Sequence, residues 1–120
     1  MAIEKLTIVR SGQFHIHTYG SHHCGTGESF DIRYHLTAIC SPKLDKRGFE
    51  FDQVNIDKFF QTVKRTSMSC EKLTETLLGK LRRHILQENP LCLIHNMELS
   101  LSPQPFMASM GATWVNEEAP

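Results

Sequence analysis

Residues 30–40, FDIRYHLTAIC, place Phe30, Ile32, Tyr34, Leu36, Ala38 and Cys40 on one parity and Asp31, Arg33, His35 and Thr37 on the other. Such alternation is the pattern of a strand with one face buried and one in water. Upstream, Leu6, Ile8, Phe14 and Ile16 alternate with Gln13, His15 and His17. The alternation falters at Ser11-Gly12, where a β-bulge is expected. Gly20, Ser21, Gly25 and Gly27 mark the stretch between as a loop, so the two strands are expected to pair as an antiparallel hairpin.

Downstream, Ser41-Pro42 ends the strand and opens a polar connector, SPKLDKRG. Phe51, Val54, Phe59, Phe60 and Val63 then recur at helical spacing, and Leu73, Leu77, Leu81 and Ile85 form an i, i+4 stripe widened by Leu78. Ser69 is the expected N-cap of this second helix, with Glu71 and Glu75 early and Lys80, Arg82, Arg83 and His84 late, matching the helix dipole. Asn89-Pro90 stops it. Leu91, Leu93, Met97, Leu99 and Leu101 share one strand parity, with His95 the exception. Ser102-Pro103-Gln104-Pro105 reads as a turn, followed by a last strand from Phe106 to Trp114. The order is ββααββ, an α+β layer in which two helices cover one face of an antiparallel four-stranded sheet. Residues 1–120 read as a single domain.

Composition narrows the functional classes. Thirteen basic and 13 acidic residues give a formal charge of zero. That balance argues against a non-specific nucleic-acid binder or a basic membrane-surface module. No apolar run reaches the roughly 18 residues of a membrane span, and the charged start MAIEKLTIVR does not read as a signal peptide, so a cytoplasmic location is expected. Cys24, Cys40, Cys70 and Cys92 contain no CxxC pair, which disfavours a four-cysteine zinc site and leaves reduced thiols as the expectation. The two edges of a small sheet must be covered, so a closed homo-oligomer is expected.

Histidine is the unusual feature: four of the seven, His15, His17, His22 and His23, fall within nine residues. His15 and His17 lie two apart on one strand face. With His23 and Glu28 they are the candidate ligands of a catalytic zinc, the alternative to a metal-free site in which His22 or His23 moves the proton. Cys24 beside these imidazoles is a candidate nucleophile or acid, against the plainer reading of a small buried hydrophobe. Glu71 is either an ordinary helix-start acid or an anion site at the head of the helix.

The ββααββ order resembles that of the tunnelling-fold (T-fold) family, whose subunits build β-barrels with pterin or purine pockets between them. Ser69-Cys70-Glu71-Lys72-Leu73-Thr74 resembles the motif that opens the second helix of dihydroneopterin aldolase. The resemblance implies that Glu71, flanked by Ser69 and Cys70, holds the aminopyrimidine edge of a pterin. Cys24-Gly25 and Gly48-Phe49-Glu50-Phe51-Asp52 are similar to segments of the 6-pyruvoyl- and 6-carboxy-tetrahydropterin synthases. Those enzymes carry H-G-H where this chain has Thr26-Gly27-Glu28, and an Asp-His segment between the helices that has no counterpart here. The aldolase lysine before a proline is also missing: the stretch reads Leu101-Ser102-Pro103, and no lysine follows Lys80. The resemblance implies a homo-oligomer, tetramer to octamer, with aldolase- or epimerase-like lyase activity on a dihydropterin without a cofactor; with the family lysine missing, His22, His23 or Cys24 is the expected catalytic group, a reading of these residues and not of the resemblance. A zinc-dependent synthase-like lyase and a non-catalytic pterin-binding protein are the alternatives.

Overall fold

The structure is a computed structural model and describes residues 5–18, 29–41, 51–104 and 109–117. In chain order the elements are β1 (Leu6–Thr18), β2 (Ser29–Ser41), α1 (Gln53–Gln61), β3 (Arg65–Thr66), α2 (Cys70–Glu88), β4 (Leu93–Gln104) and β5 (Met110–Val115). The sheet runs β3-β1-β2-β4-β5, with β1, β2, β4 and β5 antiparallel and β3 parallel to β1. The class is α+β, as expected, but the sheet is mixed and five-stranded rather than antiparallel and four-stranded. The added strand is two residues long, His17 and Thr18 pairing with Arg65 and Thr66, too short for an alternating pattern to betray it.

The even residues of β1 and β2 face the core. Phe14, Ile16, Ile32, Tyr34, Leu36, Ala38 and Cys40 pack there against Ile56 and Phe60 of α1 and Leu73, Leu77, Leu81 and Ile85 of α2. Ser69 caps α2 as expected, its Oγ accepting from the Lys72 N–H at 3.2 Å. The helix continues to Glu88, so the basic cluster 80–84 lies before its last turn, which carries no basic residue. In α1 the buried positions are Ile56 and Phe60; Val54 is 60% exposed, and Phe51 is buried ahead of the helix.

Two irregularities move. β1 and β2 keep one register from Leu6↔Cys40 to His17↔Ser29, with no bulge at Gly12. Glycine is required there by close approach instead: a Cβ would lie 2.6 Å from the Tyr34 hydroxyl oxygen. The bulge sits in β4, where Ile39 pairs with Asn96 and Cys40 with Ile94, leaving His95 as the extra residue. This explains the broken parity of the sequence: Ile94 is buried before the bulge, and Met97, Leu99 and Leu101 after it. His95 is itself buried, with its Nε2 2.7 Å from the Ser41 hydroxyl. Burial and the nearby Lys5 charge hold its imidazole below the usual pKa. Ser102-Pro103-Gln104 is strand, not turn, with Pro103 opposite Ile32. β5 pairs only as far as Leu101, so Pro103 has β2 alone beside it among the described residues, an edge position where proline is tolerated.

Tyr34 locks α1 to the sheet. Its ring stacks on Phe60 at 4.0 Å, its hydroxyl donates to Asp57 at 3.0 Å and accepts from Gln53 at 2.9 Å. Burial, then the hydrogen bond and charge of Asp57, push its phenol from 10.0 up to about 12, against a smaller opposite effect of Gln53. Between pH 10 and 12 the unfolded chain has therefore lost a proton that the folded chain retains. Stability is expected to fall as pH rises through that window, by on the order of 2–3 kcal/mol. Denaturant midpoints from pH 8 to 12 check this: the extra alkaline loss should be absent in Tyr34→Phe, and an identical loss in both proteins would assign it elsewhere.

The sheet edges differ. On β1, the carbonyls of Val9, Ser11 and Gln13 accept from the side chains of Arg10, Gln53 and Gln61, respectively. β5 has β4 on one side and no described strand on the other. Among the described residues no helix is long and apolar enough to cross a membrane.

Candidate functional site

Pairing of β1 with β3 brings the end of β1, the Arg65–Ser69 link and the start of α2 together at one end of the sheet. The link is held tightly. The Lys64 carbonyl accepts from the His17 N–H at 2.9 Å, and Thr66 Oγ1 accepts from the Met68 N–H at 3.0 Å.

The three candidate binding residues at the junction of the link and α2 occupy different environments. The Ser69 hydroxyl is engaged in the cap. Cys70 is buried, its carbonyl accepting from Thr74 Oγ1 at 2.7 Å. Glu71 is exposed in the first turn of α2 and has no ion pair or hydrogen bond among the described residues. Eleven residues at about 100° each bring Arg82 back to within about 20° of Glu71 around the helix. Arg82 lies over the Trp114 ring of β5 at 4.6 Å. Glu71 thus projects along the flank of α2 that faces β5, some three turns from Arg82.

On the opposite face of the sheet, His15 and His17 stand side by side. His15 Nδ1 lies 2.9 Å from Asp31 Oδ1, and His17 Nδ1 lies 3.1 Å from Ser29 Oγ. Asp31 and Ser29 are their cross-strand partners on β2. Each bond engages Nδ1 and orients the ring, leaving Nε2 available to accept or donate a proton. The aspartate that orients His15 is itself legible in the sequence, once the hairpin register is known. Among the described residues no three His, Cys, Asp or Glu side chains converge on a metal position. His22, His23, Cys24 and Glu28 lie outside the described residues, as does the Gly20–Gly27 loop. Cys40, Cys70 and Cys92 are buried thiols outside any disulfide. Further along the sheet, Ser11, Gly12, Gln13, Arg33, Tyr34, His35, Ser100 and Ser102 line a shallow depression of about 400 Å³.

No protein-family model matches this chain, and no curated protein matches it.

Proposed function

We propose that the chain is a T-fold subunit that binds a pterin through Glu71 and acts on its side chain as an aldolase- or epimerase-like lyase. One observation carries the reading: the first turn of α2 presents an exposed carboxylate that has no ion pair or hydrogen bond among the described residues. The aminopyrimidine edge of a pterin offers two adjacent N–H donors, which a carboxylate accepts in parallel, fixing the ring plane as well as adding affinity.

Retro-aldol cleavage or epimerisation needs a base to take a side-chain hydroxyl proton and an acid to return one to carbon. No lysine follows Lys80, so an imidazole of the 15–23 segment takes this part. His15, its ring oriented by Asp31, lies on the sheet face away from α2 and would reach a pterin held by Glu71 only from a neighbouring subunit; His22, His23 and Cys24 are the other members of the proposed set. The β5 edge, which has no further strand beside it among the described residues, supports assembly into a homo-oligomer. Pairing onto β1 would have to exchange the bonds that Arg10, Gln53 and Gln61 make to that edge.

The test is incubation with 7,8-dihydroneopterin, followed by chromatography of the pterin products. Release of a shortened pterin or its epimer is the expected result. Binding without any product would leave a binding protein and remove the lyase reading.

A further inference from the structure

A groove of about 450 Å³ runs between the end of α1, the β3 link and α2. Its floor is apolar, formed by Phe59, Val63, Leu73 and Leu77, with Met68 at the mouth. Leu73 and Leu77 are buried at 4% and 3% exposure, whereas Met68 is 37% exposed. Lys64, Arg65 and Lys80 line it as well, and no acidic side chain among the described residues does. Lys64 and Lys80 are exposed and have no ion pair or hydrogen bond among the described residues.

We infer that this groove is a binding site for a small organic anion with an apolar or aromatic body. The volume lies within the range of small-molecule sites, about 300–1,000 Å³. An apolar floor gains from excluding water from the body of such a ligand. Cations of one sign at the margin favour an acidic head group, which stays partly in water while the body is buried. A neutral apolar ligand would leave Lys64 and Lys80 with no counter-charge among the described residues, and a polar anion would leave the floor uncovered.

The site is separate from Glu71. Nine residues at about 100° each place Lys80 half a turn round the helix from Glu71, so the groove and the carboxylate occupy opposite flanks of α2. The inference does not rest on the pterin reading.

The probe is 8-anilino-1-naphthalenesulfonate, with N-phenyl-1-naphthylamine as the same aromatic body lacking the sulfonate. Titration into methyl-labelled protein should shift the Met68 methyl signal first. Lys64→Glu with Lys80→Glu, both exposed and tolerable to the fold, should weaken the sulfonate by on the order of tenfold, as expected for two reversed, solvent-screened charges. The neutral analogue should be unaffected. Saturating neopterin should leave the probe in place. Absence of sulfonate binding, shifts away from Met68, or equal affinity of the sulfonate for wild type and variant would overturn the inference. Displacement by neopterin would overturn the separateness of the two sites.

Discussion

Gly12→Ala is expected to destabilise the protein by about 2–4 kcal/mol, through overpacking and damaged hydrogen bonds. In a regular strand the same change would stabilise by roughly 0.5–1 kcal/mol, because glycine loses more backbone freedom on folding than alanine. The sign reverses because the new Cβ would lie 2.6 Å from the Tyr34 hydroxyl oxygen and 2.7 Å from two of its ring carbons. The ring cannot swing aside cheaply: Phe60 stacks on it, and Asp57 and Gln53 hold its hydroxyl. Moving it would part α1 from β1 and β2 together. Urea denaturation checks the value, and a double-mutant cycle checks the cause. In a Tyr34→Ala background the glycine substitution should become neutral or stabilising. The same loss in both backgrounds would mean that the backbone at position 12, not the tyrosine, demands glycine.

Glu71→Gln should weaken pterin binding by on the order of 2–4 kcal/mol, roughly 30- to 1,000-fold, since one acceptor oxygen becomes a donor facing a ligand N–H. Folding stability should fall by only about 0.3–1 kcal/mol, the contribution of an exposed acid to the helix dipole. Glu71→Asp keeps the charge but withdraws it, and should lie between the two in affinity. Pterin fluorescence titrations with the three proteins, set beside their urea midpoints, separate a ligand anchor from a helix-start acid. A loss of stability as large as the loss of affinity would assign Glu71 to the fold.

The strands and helices were legible wherever one face is buried along a whole element. Residues 30–40 and the Leu73–Ile85 stripe are such cases, because a period of two or 3.6 is then written into every position. The misreadings occur where a local tertiary contact overrides the period. Gly12 resembles a bulge because its missing side chain makes room for a ring 22 residues away in sequence. The true bulge at His95 places two consecutive buried residues, Ile94 and His95, in β4, which reads as a parity fault until the partner strand is known. Pro103 looks like a turn because its tolerance in β4 depends on where β5 stops pairing. Of the site, Glu71 was visible as a carboxylate at a capped helix start, and His15 as half of a same-face pair. The hydrogen bond between His15 and Asp31 needs the hairpin register, and the groove between α1 and α2 needs the packing of two helices. Neither leaves a periodic trace in one sequence.

The most direct test of the pterin reading is calorimetric titration of neopterin into the wild-type protein and into Glu71→Gln, at one salt concentration and neutral pH. Saturable binding by the wild type, weakened at least about 30-fold in the variant, is the predicted result. No heat from the wild type, or equal affinity in both proteins, would contradict it and make Glu71 an ordinary helix-start acid.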